Sequence, residues 1–330
     1  MLYSLSITYD VSDGPGAFSA TVDGSDVDAA MAFATRLAER IDGAVMDPQS
    51  WEPEEGVEPE PEPEPAPEPS KARYLHMTWW RLRDDSKDLA EIYLRTAREL
   101  FPVAVPTRFG TYEPMQGKFP RDDDSAFDAM YRDECEGSAL MFSSTSMKHG
   151  RISHWTNELW VRVQAVDLTF DLSRIEKARA VGEIERFFVD LAERMSAFFA
   201  FASVTHSRYV AGESRFLPRG QWSGLPRDPR WMTWFGADYA ELVRPHIDPA
   251  LVTETPRGLL HRWTDHPVSA DDLRRISPEP WLPAELSGTP DPEDEFRSSE
   301  GAVSMPDSLR YPDEGSPQAL RIEAHYARYA

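Results

Sequence analysis

Several groups of residues in this chain carry side chains able to do chemistry. The stretch KHGRISHW holds His149 and His154, with Glu158 four residues further on, the residue types of a transition-metal site. Gly150 disfavours a helix there, and five-residue spacing suits a strand poorly. The two imidazoles are therefore expected in a loop that feeds the next strand. His261, Asp265 and His266 flank Trp263. A His–Asp pair can move protons, so this group is the candidate for an assembled, hydrolase-like site, although its context marks no serine or cysteine nucleophile. Cys135 lies between Glu134 and Glu136, whose carboxylates raise a thiol pKa and make it a poor nucleophile. Asp122, Asp123, Asp124 and Asp128 invite a divalent cation. Consecutive aspartates point in different directions on any regular backbone, and the alternating ligands and glycine of an EF-hand are missing. A solvated turn ahead of a helix is expected instead, with acids favouring the helix N-terminus. No GxGxxG, P-loop, HExxH, GxSxG or CxxC pattern occurs. No metal or cofactor is expected.

A further cluster fits recognition better than catalysis. In RGQWSGLPRDPRWMTWFGADY, the residues Arg219, Gln221, Trp222, Arg227, Arg230, Trp231, Trp234 and Tyr239 crowd together. Trp, Tyr and Arg dominate binding hot spots. Arg219, Trp222, Arg227, Arg230, Trp231 and Tyr239 are the candidate partner-binding set. The alternative is that Trp231 and Trp234 pack the core while the arginines are solvated.

The elements that must position these groups follow from periodicity. Tyr3, Leu5, Ile7 and Tyr9 alternate with Ser4, Ser6 and Thr8, which predicts a half-buried strand broken at Gly14-Pro15-Gly16. A second strand over 17–22, a helix on the Val27–Ile41 face and a return strand over 44–46 complete an N-terminal unit, residues 1–50. Residues 51–70 alternate Pro and Glu, which allows neither helix nor sheet and predicts an extended linker. Beyond it, strands are expected over 74–82, 138–144, 159–171 and 259–263. Residues 159–171 carry an apolar face switch near Ala165 and Val166 that suggests a bulge. Helices are expected over 88–101, 125–134, 181–201, 237–243 and 270–276. Strands and helices intersperse without βαβ spacing, which predicts an α+β domain over residues 71–285. Its sheet is mixed or antiparallel, with helices on one face over a Trp-rich core. Residues 286–330, rich in Pro, Asp, Glu, Ser and Gly, read as a largely disordered acidic tail with a short helix over 317–329.

The net charge of −22 is not spread evenly. Residues 51–70 carry eight glutamates and no base, and the two termini hold most of the rest, so residues 71–278 are almost neutral. A nucleic-acid ligand needs a basic face, which argues against that class of partner. One cysteine, no signal-peptide pattern and no long apolar stretch predict a cytoplasmic protein without disulfides or membrane spans. Thirty Arg against five Lys fits a GC-rich bacterial genome.

Gly224-Leu225-Pro226 precedes Trp231, Trp234, Gly236 and Tyr239. That spacing resembles a W-x-x-[WY]-[FL]-G-x-x-Y pattern near the C-terminal end of bacterial immunity proteins, the immunity protein 52 family and related type VI secretion immunity proteins. The order of elements over residues 71–285 is similar too. The N-terminal unit, the Pro/Glu linker and the acidic tail depart from it. The resemblance implies a non-catalytic α+β protein that binds and blocks a cognate toxin, and it implies no catalytic residue here. The competing readings are the enzyme just described and an accessory scaffold whose linker and tail tether other factors.

Overall fold

The computed structural model describes residues 2–11, 14–23, 27–40, 44–46, 72–83, 86–119, 123–155, 163–207, 216–217, 221–277, 280–290, 298–313 and 315–327. Within the expectations above, the 51–70 linker, Asp122, Glu158, residues 159–162 and Arg219 lie outside them. The chain forms two compact units, Met1–Glu68 and Pro69–Ala330.

The first unit contains β1 (Leu2–Val11), β2 (Gly14–Asp23), α1 (Val27–Arg40) and β3 (Ala44–Met46). Its sheet is antiparallel in the order β2-β1-β3. The β1–β2 hairpin pairs in unbroken register from Leu2↔Asp23 to Val11↔Gly14, so Gly14 opens the second strand rather than merely ending the first. On α1, Ala34 is buried and Phe33 exposed, as the helical periodicity requires.

The second unit opens with β4 (Tyr74–Leu82), α2 (Leu89–Leu100), β5 (Arg108–Gly110), β6 (Gly117–Lys118), α3 (Ser125–Glu134), β7 (Leu140–Ser143) and β8 (Met147–Ile152). There follow β9 (Val163–Asp171), α4 (Leu172–Lys177), α5 (Ile184–Arg194), β10 (Ala197–Thr205), β11 (Phe216–Leu217), β12 (Gln221–Trp222), β13 (Met232–Gly236) and α6 (Ala237–Val243). It closes with β14 (Val252–Thr255), β15 (Gly258–Arg262), α7 (Ala270–Ile276), β16 (Thr289–Pro290), β17 (Ser298–Glu300) and α8 (Pro317–Tyr326). Ten strands make one sheet in the order β14-β15-β13-β10-β4-β9-β8-β7-β5-β6, and every pairing of these strands is antiparallel. The fold is α+β.

Alternation along β4 divides the core. Leu75, Met77 and Trp79 face α2 and α5, where they meet Tyr93, Phe101, Phe187, Phe188 and Leu191. Trp79 Nε1 donates to the Phe188 carbonyl at 3.0 Å and so ties the central strand to α5. Trp80 faces the other way, against Phe199, Trp222, Phe235 and Tyr239. Helices therefore cover both sheet faces, not one. α2 and α5 lie on the first, and α6 with Trp281, Leu282, Leu286, Met305 and Leu309 lies on part of the second.

The expected 181–201 helix ends at Arg194. Ser196 turns the chain at φ +53°, and Ala197–Thr205 runs back as β10. This strand is buried on both faces, so its apolar run matches a helical pattern as well as a strand. The bulge expected near Ala165 and Val166 is absent: β9 alternates from Val163 to Leu168 and pairs with β4 in unbroken register from Tyr74↔Asp171 to Leu82↔Val163. Register shifts fall instead at Met147/His149 and Ala197/Phe199.

Part of the acidic tail is ordered. Leu225 N–H donates to the Leu286 carbonyl at 2.9 Å, Ala302 N–H to Ser223 at 2.9 Å and Ser304 N–H to Glu285 at 2.8 Å. Leu309 buries itself in the second core. Low hydrophobicity predicted disorder, but these backbone bonds and a few apolar anchors suffice to hold the segment on the aromatic turn.

Candidate functional site

The aromatic turn folds inward. Trp222, Trp231 and Tyr239 are 2%, 3% and 0% exposed, so in this conformation they do not form the exposed contact patch expected of them. Trp222 Nε1 donates to the Tyr239 hydroxyl at 2.8 Å, closing β12 onto α6. Trp231 Nε1 donates to the Thr264 carbonyl at 3.1 Å. Arg227 is spent on the Gly288 carbonyl, where it clamps the tail. Arg230 lies with its guanidinium 4.9 Å from the Phe201 ring centre, at the edge of the second face. Tryptophan and tyrosine supply large apolar areas together with a polar tip, which suits a buried turn as well as an interface.

Gly236 shows why the motif needs its glycine. A Cβ there would stand 2.7 Å from the Ala197 carbonyl oxygen and 2.9 Å from Phe198 Cα. Its cross-strand partner is Gly258, so two bare backbones pass each other at the β13–β15 end. Gly236→Ala is expected to destabilise the unit by roughly 1–3 kcal/mol through overpacking against backbone. Chemical denaturation followed by tryptophan fluorescence would measure it.

The remaining groups are placed as follows. His149 sits in β8, not in a loop, opposite Thr169. Gly150 is accommodated because the Phe142 ring packs over it, where a side chain would otherwise stand. His154 follows the strand, and its carbonyl accepts from Gln164 at 3.3 Å. Burial, then Arg151, lowers the His154 pKa. His261 is buried, with its pKa lowered to about 4 by burial. Asp265 instead pairs with Arg262 at 2.8 Å and is 91% exposed, so the expected His261–Asp265 pair is not assembled. The charged group acting on His261 is Asp248. Cys135 is fully buried, with its thiol pushed up to about 12 by burial and then by Glu134. Asp123 accepts from Ser125 N–H at 2.9 Å, Asp124 pairs with Arg98, and Asp128 pairs with Arg132 at 2.6 Å.

The register assembles a surface that the sequence alone did not reveal. On the second sheet face, Phe201, Thr78, Asp167 and Arg151 stand side by side across β10, β4, β9 and β8. The next row holds Ser203, His76, Thr169 and His149. The other half of this face is apolar and covered, through Trp80, Phe199 and Phe235. His149 and Arg151 are exposed, while Thr78, Asp167 and Phe201 are half-buried. Arg230 extends the first row at its Phe201 end. Loss of hydration raises the Asp167 pKa; Arg151 at 3.5 Å, Thr78 and His149 pull it back.

His76 braces this surface from within. Its Nε2 lies 3.0 Å from the Ser207 carbonyl, which only accepts, so Nε2 carries the proton. Nδ1, 3.1 Å from Thr169 Oγ1, therefore accepts from that hydroxyl. Burial holds the imidazole neutral, with its pKa lowered to about 4. The row offers guanidinium donors, one carboxylate and a hydroxyl around a half-buried ring. That combination can recognise a folded partner by charge-assisted hydrogen bonds.

No protein-family model matches the chain, and neither does any curated protein. Among solved structures it is similar to one described as Pseudomonas aeruginosa T6SS protein PA0821, with a TM-score of 0.41 at 13% identity. The overlay covers 60% of this chain and 73% of that one. Among the described residues, no helix is long and apolar enough to cross a membrane.

Proposed function

We propose that this protein is a non-catalytic, immunity-type binder that neutralises a cognate bacterial toxin by direct contact. Its contact surface is the row of Arg230, Phe201, Thr78, Asp167 and Arg151, of which Arg151 is exposed and the others half-buried. The observation that carries this reading is the row itself, an aromatic ring, a carboxylate and Arg151 on paired strands with Arg230 beside the ring, the composition of a hot spot. The immunity-protein pattern of Trp231, Trp234, Gly236 and Tyr239 supports it from the sequence side. Those residues are structural: Trp231 and Trp234 pack in the first core, and Tyr239 holds Trp222 in the second. Neutralisation proceeds by steric occlusion, and the acidic margins of the chain steer a basic partner inward.

The test is co-expression with the protein encoded beside it. A stable, stoichiometric complex and restored growth are the expected results. Failure to bind, together with no protection, would remove the reading.

A further inference from the structure

The first unit ends on an open strand. Among the described residues, β2 is the outermost strand of its sheet, ten residues long and paired on one side with β1. Proteins blunt such edges with charges, prolines, bulges or short length, because a row of free N–H and C=O groups templates another strand. The middle of β2 carries none of these devices. Its register with β1 is unbroken, and residues 16–22, between Pro15 and Asp23, include no charged side chain.

The hairpin fixes which backbone groups are free. In an antiparallel pair, alternate residues bond the neighbouring strand, and those between direct their N–H and C=O away from it. Two residues separate Val11 from Gly14, and a loop that short is closed by a hydrogen-bonded pair. In steps of two from Gly14, the residues Gly16, Phe18, Ala20 and Val22 therefore bond β1. Pro15, Ala17, Ser19, Thr21 and Asp23 direct their backbone groups outward. Pro15 agrees with this parity, since it has no N–H and stands where β1 needs none. Ala17, Ser19 and Thr21 thus offer a run of donors and acceptors that is symmetrical about Ser19.

We propose that this edge pairs antiparallel with the same edge of a second copy, Ser19 opposite Ser19, so that the two sheets become one. A two-fold axis at Ser19 sets Ala17 opposite Thr21 and supplies about six backbone hydrogen bonds, with every donor meeting an acceptor. Asp23 then stands opposite Pro15 of the copy rather than opposite a second carboxylate. The strand at the far edge of the sheet, β3, spans only three residues and is too short to template another, so association closes at two copies. A unit of this size buries little surface alone, and pairing offsets that deficit. Residues 1–50 carry eight acids against two Arg, so the copies repel at long range and salt tightens the pair. This pairing concerns the first unit alone and does not rest on the toxin-binding reading.

Sedimentation equilibrium of the full chain at low and high salt reads the association directly. A concentration-dependent dimer is expected, tighter at high salt. Ser19→Glu sets like charges opposite each other and should weaken it about fivefold or more. Ser19→Pro removes an outward N–H without breaking a bond to β1 and should weaken it as well. Ser19→Cys should oxidise to a disulfide-linked dimer, because opposite residues of a hydrogen-bonded pair have Cα atoms about 5.5 Å apart, within disulfide reach. Thr8→Cys, on β1 between β2 and β3, should stay unlinked, and the native Cys135 is buried. Far-UV circular dichroism checks that each variant folds, and Ser19→Cys reads the contact even where Ser19→Pro does not fold. Three results would overturn the proposal: a monomer at every concentration and salt, a dimer that Ser19→Glu leaves unchanged, or equal cross-linking of Thr8→Cys and Ser19→Cys.

Discussion

Lowering the pH from about 7 to about 4 is expected to remove several kcal/mol of folding stability, through two buried histidines. His76 and His261 both have pKa values lowered to about 4 in the folded protein, mainly by burial. In the unfolded chain they titrate near the ordinary value of about 6.5. Between those limits the unfolded state binds more protons, so stability is complete above the ordinary value and falls as the pH drops. A shift of this size corresponds to at most about 3 kcal/mol per histidine, and total stabilities are commonly about 5–15 kcal/mol. Asp167 acts in the opposite sense, because its raised pKa makes the folded state take up a proton more readily just above the ordinary carboxylate value. Urea midpoints at a series of pH values would show the slope, and His76→Gln should reduce it while keeping a donor toward the Ser207 carbonyl. A midpoint that does not change between pH 7 and 5 would contradict the placement of both imidazoles.

Trp79→Ala is expected to cost roughly 3–5 kcal/mol, since the cavity cannot close on a strand paired on both sides. Trp79 is fully buried, its ring centre 5.9 Å from Phe187 and 5.3 Å from Phe188, and its N–H anchors the α5 backbone. Trp79→Phe keeps most of the packing and loses the hydrogen bond, which should cost about 1–2 kcal/mol. Guanidinium unfolding followed by far-UV circular dichroism would separate the two. Equal losses would mean that the hydrogen bond, not the ring, holds α5 to the sheet.

The elements legible from sequence were those whose signal is local. The spans of β4, α3, α6 and α7 follow from alternation, from acids near a helix start and from proline breaks. The β10 strand was not legible, because AFFAFASVT is apolar toward both faces and matches a helix equally well. The polar row across β4, β9 and β8 was hidden for a different reason. Thr78, Arg151 and Asp167 are scattered over three strands, and each is a single polar residue at an alternate position. Only the pairings Thr78↔Asp167 and Arg151↔Asp167 bring them together, and no short window of sequence specifies register. The aromatic turn was legible as a cluster, with core packing as the alternative for Trp231 and Trp234, but the burial of Trp222 and Tyr239 was not legible. Trp222 meets Tyr239 seventeen positions away, and the tail that covers them had the composition of a free one.

The central claim is that the polar row across β10, β4, β9 and β8 makes the partner contact. The most direct measurement is the affinity of the co-purified partner for wild type, for Arg151→Glu and for Arg95→Glu, the last on α2 over the opposite sheet face. Arg151→Glu is expected to weaken binding by at least about thirtyfold, the effect of losing one hot-spot residue, with Arg95→Glu near wild type. Unchanged affinity for Arg151→Glu, or an equal loss for Arg95→Glu, would contradict the account.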